Sequence, residues 1–238
     1  MLSDSTIYDS GGTLSSGVEN NSSINAVITF IKEHFDHFAE QNKGQTSINE
    51  KGLTQKLCIF LNRSAREQPF FFHSEFMEDV NIGTSAQVDI GTLSYSQTIT
   101  IVDRDYSDDD SFFSIEAKRL PTPGTGRERE YVIGESKPSG GIERFKKGLH
   151  GSRLKFSAII AYVQKENFDF WFLKINSWIQ ELAKQDQEGL WSNLDQLNKT
   201  SNVKDSAIML ELSSTNSRKA PDQQLDSIQL FHFWISLV

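Results

Sequence analysis

The sequence predicts an α/β protein with a mixed central β-sheet flanked by helices. Three observations predict it. Apolar residues recur at helical spacing in Ile24, Val27, Ile28, Ile31, Phe35 and Phe38, and again in Leu53, Leu57, Phe60 and Leu61. Strand-like runs bounded by polar or glycine-rich segments follow near 70–77, 86–93 and 111–120. Further on, FSAIIAYVQ (156–164) is continuously apolar, as expected of a central strand buried on both faces. At 238 residues, with 37% hydrophobic content, 17 Phe and 4 Trp, the chain can bury a substantial core and is not a disordered one.

Taken in order, residues 1–22 are rich in Ser, Gly and Asn and read as a flexible arm, leaving 23–238 as a single domain. The start has no basic stretch followed by an apolar core, so no secretory signal is expected. No apolar run reaches the length of a membrane span. The single cysteine, Cys58, excludes an internal disulfide and suits a reducing cytoplasm.

The first helix takes Ser22 or Ser23 as its cap, and its His34 and His37 read as solvated or half-buried. A second helix is expected over about 47–66, opened by a capping box in which Glu50 reaches back to an orphan amide. The run 70–77 is a strand, ending in a turn near 81–83, with Glu75 and Glu78 as exposed acidic positions. The loop VDRDYSDDDS holds five Asp but lacks the Gly and Glu that a calcium loop needs at its sixth and twelfth positions, so it reads as a solvated acidic tip.

After Lys118 comes a loop rich in Pro and Gly, with a short strand at 131–133. The sequence GGIERFKKGLHG then predicts a helix of about two turns, ending at Gly148 or Gly151, whose N-terminal amides stand open to a phosphate. A helix with an aromatic stripe (Phe168, Trp171, Phe172, Ile175, Ile179, Leu182) follows. The segment 193–200 reads as a helix end or linker, and two final strands meet at a turn around Pro221. The apolar C-terminus, with Phe231, Phe233, Trp234 and Leu237, completes the core or a dimer seam.

Chemistry concentrates between Gln87 and Leu120. Asp89 lies in one apolar run, and Glu116 and Lys118 in the next. In a strand, Ser114, Glu116 and Lys118 share one face while Phe113 and Ile115 take the other. Two carboxylates and an ammonium at neighbouring strand ends can hold a divalent cation and a water, and oxygen ligands favour magnesium or manganese. A second Glu-x-Lys, Glu135 with Lys137, sits between Gly134 and Pro138 and is a poorer platform. No serine-nucleophile elbow, dinucleotide fingerprint, Walker loop or zinc pattern is present.

The combination of Asp89 with Glu116-Ala117-Lys118 resembles the PD-(D/E)XK nuclease superfamily, although Val88 stands where that family often has proline. The resemblance covers about residues 47–164. It implies a restriction-endonuclease-like core and a Mg2+- or Mn2+-dependent endonuclease acting on DNA to leave a 5′-phosphate. Asp89 and Glu116 would be metal ligands, Glu50 on the first core helix a further one, and Lys118 would orient or activate the attacking water. A restriction or anti-phage role would suit such a protein. The alternatives are a non-catalytic subunit of the same fold that binds nucleic acid or a protein partner, and an RNA-directed hydrolase.

The net charge is −8, yet residues 118–155 hold ten Lys or Arg against four Glu. Phosphate binding needs local positive charge whatever the sum. Arg119, Arg127, Arg129, Arg144, Lys146 and Lys147 are the candidate nucleic-acid contacts.

Overall fold

A computed structural model describes residues 22–78, 85–135, 137–200, 208–220 and 225–238. The expected arm, the turn at 81–83 and the turn around Pro221 lie outside the described residues, apart from Ser22. Two helices come first, α1 (Ser22–Asn42) and α2 (Glu50–Ser64). They precede strands β1 (Phe70–Met77), β2 (Gln87–Ser94), β3 (Thr98–Ile101), β4 (Arg104–Ser107) and β5 (Phe113–Leu120). The short helix α3 (Gly141–Lys146), strand β6 (Phe156–Val163) and helix α4 (Phe168–Gln185) follow. The chain closes with β7 (Asn198–Lys199), β8 (Met209–Asn216) and β9 (Ile228–Ser236).

Seven strands form one mixed sheet in the order β1-β2-β5-β6-β9-β8-β7, so the α/β class predicted above is the fold observed. The two central pairings, β5 with β6 and β6 with β9, are parallel, and the pairs toward both edges are antiparallel. Side-chain alternation along β6 builds both layers of the core. Ala158, Ile160 and Tyr162 pack with α1 and α2, while Ile159, Ala161 and Val163 pack with α3 and α4. Burial on both faces is why this strand carries no charged residue, and why its one polar group after Ser157, the Tyr162 hydroxyl, is hydrogen-bonded. The aromatic stripe of α4 is largely core: Trp171, Ile175 and Ile179 lie buried under the sheet.

Three local expectations are corrected. Helix α2 begins at Glu50, and its cap is Asn49, whose Oδ1 accepts from Gly52 N at 2.8 Å. The Ser47 box does not form, because Asn49 adopts the extended cap conformation two residues later. Residues 131–133 form a turn rather than a strand. Their segment instead satisfies α3: Glu130, Tyr131 and Val132 carbonyls accept the amides of Gly141, Ile142 and Glu143. The expected phosphate cradle at this helix is therefore already filled by backbone. Gly140 permits the approach, since a Cβ there would lie 2.3 Å from Ile133 Cα. Finally, 193–200 holds a 3-10 turn (Asn193–Asp195) and the edge strand β7.

The acidic loop folds back on itself as the β3–β4 hairpin. Tyr106, Ile99 and Ile101 are buried beneath it while Asp103, Asp105, Asp108 and Asp109 stay in water. Glycine closes α3 as expected, with Gly148 at φ +67° just past Lys147.

Candidate active site

Strand β2 pairs with β5 only along Phe113, Ser114 and Ile115, whereas β5 continues beside β6 as far as Leu120. Beyond Ile115 the amides of the odd-numbered residues of β5 face an edge that β2 has left. Two carboxylates take them. Asp89 Oδ2 accepts from Ala117 N at 2.7 Å, and Glu50 Oε2 from Arg119 N at 3.0 Å. Three segments far apart in the chain thus meet at one strand end. Two further bonds lock α2 and the loop before it against the sheet. Tyr162 donates its hydroxyl to Thr54 Oγ1, and Gln164 Nε2 donates to Ile48 O while its Oε1 accepts from Arg119 Nε.

Glu116 and Lys118 point to the opposite face of β5 from Ile115 and Ala117, toward α3. Lys118 Nζ lies 2.6 Å from Glu116 Oε1, and Arg144 Nη1 of α3 donates to the same oxygen at 2.9 Å. Their side chains are almost wholly buried, Glu116 at 1% and Lys118 at 6% exposure. His150 Nδ1 stands 3.2 Å from the other oxygen, Glu116 Oε2. Both atoms are buried without a hydrogen-bond partner.

The charges are strongly coupled. Burial opposes ionisation of Glu116, but Lys118, His150 and Arg144 hold its carboxyl well below the usual carboxylate range. Asp89 is pushed up to about 7, by burial first and then by the Glu116 charge, against the pull of Lys118. Burial likewise raises Glu50. Burial works to deprotonate Lys118, yet Glu116, Glu50 and Asp89 outweigh it and raise its pKa, so the ammonium is kept. A cavity of about 180 Å3 opens on Glu50, Asp89, Thr54, Ser74 and the Lys51–Glu75 ion pair. Glu75, at φ +51°, falls between Ser74 and Phe76, which pair with Ile90 and Val88 on either side of Asp89.

The donor set suits a hard divalent cation in its chemistry: three carboxylates, one oxygen of which is buried with no donor. It is not a finished cage. Among the described residues, no three His, Cys, Asp or Glu side chains converge to hold a metal ion. Lys118 and Arg144 occupy Glu116 Oε1 instead.

All four proposed site residues, Glu50, Asp89, Glu116 and Lys118, meet within one coupled charge network. The predicted nucleic-acid contacts do not form one surface. Lys146 is corrected outright: it is fully buried, 2.7 Å from Asp195, with a further bond to Ser217 O, and it touches no solvent. Arg144 reaches into the site rather than outward. Arg127 pairs with Glu130, Arg129 with Glu181 and Lys147 with Glu143, so the basic block is largely answered by acids within the fold. Lys155 and Arg153 also pair, with Asp103 and Asp110. The Glu135 carboxylate lies against the Gly126 backbone. His34 Nδ1 donates locally to Phe30 O and His37 Nε2 accepts from Gln41 Nε2, which is the solvated or half-buried role expected of them. Sequence reasoning missed His150. It belongs to no spacing motif, and only the register of α3 against β5 brings it to Glu116.

No protein-family model matches the chain, and neither a curated protein nor a solved structure is found similar to it. No helix among the described residues is long and apolar enough to cross a membrane.

Proposed function

We propose that this chain is a metal-dependent deoxyribonuclease of the PD-(D/E)XK kind, cutting phosphodiester bonds in the cytoplasm. The observation that carries the reading is the strand end where β2 leaves β5, with Asp89 and Glu50 on the freed amides and Glu116 beside Lys118. Asp89 and Glu116 would hold magnesium or manganese, with Glu50 next to them. The ion, when bound, polarises a phosphoryl oxygen and acidifies a water. Lys118, kept as an ammonium, acts by charge: it favours hydroxide over water nearby and offsets the negative charge that builds on phosphorus. Its protonation argues against a general-base role. Asp89 and Glu50 also fix the end of β5 through its amides, so the ligands and the lysine share one rigid platform.

A second reading has its own support. Glu116 is already neutralised by Lys118 and Arg144, and the cations of the basic block are mostly paired. A non-catalytic subunit that meets DNA through a protein partner, or through a second copy of itself, would look like this.

Cleavage of supercoiled and linear DNA with magnesium or manganese separates the two. The nuclease reading expects wild-type cutting that chelator stops and that Asp89→Asn and Lys118→Ala abolish. Activity that survives both substitutions in folded protein sinks this site, and RNA cleavage in its place redirects the substrate class. No cutting of any substrate, together with no metal binding, favours the scaffold.

A further inference from the structure

Neighbouring residues of a strand point to opposite faces, yet Ser74 and Glu75 of β1 both line the cavity that opens on Glu50 and Asp89. The backbone at Glu75 accounts for it. Its φ of +51° is one that residues other than glycine adopt at a cost, and such outliers concentrate at functional sites. The bend shifts the alternation by one residue. Phe76 meets the ring of His73 edge-on at 5.9 Å and covers Gly91, the partner of His73 in the register. Glu75 is thereby aimed at α2, where its Oε1 lies 2.5 Å from Lys51 Nζ. The pair stands at the mouth of the cavity, its side chains 80% (Lys51) and 58% (Glu75) exposed. Lys51 is the only cation among the described residues that line this cavity. The Glu75 carboxylate and the Asp89 charge both favour its ammonium form.

We propose that Lys51 binds a phosphate of the DNA backbone beside the scissile bond, and that Glu75 holds the lysine at the cavity until that phosphate displaces it. The inference rests on the nuclease reading and adds to it the residue that receives the substrate. A polyanion approaching the cavity meets three carboxylates, Glu50, Glu75 and Asp89. A divalent ion would serve the scissile phosphate, but the phosphates flanking it need a cation that solvent reaches. Lys118 and Arg144 do not supply one, since both are committed to Glu116 Oε1 and Lys118 is almost wholly buried. Lys51 is free to exchange partners. An exposed ion pair contributes little, so giving up Glu75 for a phosphate oxygen sacrifices little. The exchange replaces one charge-assisted hydrogen bond by another, and the phosphate releases its condensed counterion, which favours binding. The strained bend at Glu75 thus has a use: it keeps the lysine over the carboxylates where a phosphodiester must pass.

The test is steady-state cleavage of a linear duplex by the whole chain with magnesium, repeated from about 50 to 200 mM salt, with fluorescence anisotropy of the same labelled duplex alongside. Lys51→Ala should raise KM by about three- to tenfold with kcat changed less, and should flatten the salt dependence of log KM by about one unit of slope. Lys51→Arg should restore most of both, because the phosphate needs the charge. Glu75→Gln should lower KM severalfold, and that gain should vanish in the double variant Lys51→Ala/Glu75→Gln. Both side chains are exposed, so none of these changes should disturb folding, which circular dichroism checks. A gain that persists in the double variant means that Glu75 merely repels DNA, and it overturns the exchange. Wild-type cutting with KM and salt slope unmoved by Lys51→Ala overturns the Lys51 inference and leaves the nuclease reading standing. If no DNA is cut, anisotropy decides. Binding whose salt slope Lys51→Ala flattens keeps Lys51 as a phosphate contact and sinks the nuclease reading, whereas an unmoved slope, or no binding, overturns both.

Discussion

Asp89 Oδ2 accepts the backbone amide of Ala117 at 2.7 Å, so the candidate metal ligand is also the partner of a strand edge. Removing the carboxyl therefore does two things at once. Asp89→Ala should cost about 1–3 kcal/mol in denaturant unfolding, because the Ala117 amide is left unpaired in a half-buried place. Asp89→Asn keeps an acceptor oxygen and should unfold at nearly the wild-type denaturant concentration near pH 4. A loss in Asp89→Asn equal to that of Asp89→Ala would show that the amide bond is not what holds this edge.

Asp89 also makes stability depend on pH. Its folded pKa, about 7, lies above the ordinary value of 3.8, so its stabilising contribution is full below about pH 4 and is lost as pH rises through 7. Metal-free Asp89→Asn lacks this loss. Its stability relative to wild type should climb between pH 4 and 7, by on the order of 2 kcal/mol, and then level off. Parallel curves for the two proteins across that range would contradict the assigned burial of charge.

The Glu116–Lys118 pair predicts an asymmetry. Glu116→Gln leaves the Lys118 ammonium nearly buried with its closest countercharge gone, at a cost of about 3–5 kcal/mol. Lys118→Ala leaves Glu116 with Arg144 and His150 and should cost less. Thermal unfolding of both single variants and the double variant measures the coupling. Equal losses would mean that Arg144 and His150 give Glu116 no support.

Lys146 and Asp195 join α3 to the 3-10 turn in a fully enclosed ion pair, with the Trp191 ring 5.2 Å from the ammonium. Lys146→Met should destabilise by about 3–5 kcal/mol, and the double change with Asp195→Leu should recover most of that. Neither variant should alter the salt dependence of DNA binding in folded protein, since the group is shielded from phosphate. A shallower salt slope for either would reinstate Lys146 as a contact.

His232 is held neutral in the core, its Nδ1 at 2.7 Å from the Tyr131 hydroxyl and its Nε2 at 2.9 Å from Ser214 Oγ. Burial lowers its pKa from 6.5 to about 3. Its stabilising contribution is therefore present above pH 6.5 and lost as pH falls toward 3. His232→Gln should be less stable than wild type at pH 7, and the gap should narrow by a few kcal/mol by pH 4 in urea titrations. A constant gap would place the acid sensitivity elsewhere.

The sequence by itself determined the α/β class, the helical stripes of α1 and α4, the doubly buried β6 and the shared face of Glu116 and Lys118. Each of these is written in spacings of two to four residues, which side-chain geometry reads locally. Only the tertiary structure decided the rest. Asp89 meets Ala117 across 28 residues and Glu50 meets Arg119 across 69, and both contacts depend on where β2 stops pairing with β5. The same holds for the basic block: ten cations in a row of sequence look like a surface for phosphate until folding brings acids to them. His150 was silent for the same reason, since nothing near it in the chain announces the carboxylate it faces. Pairing partners and burial are properties of long-range register, and a linear pattern carries no term for them.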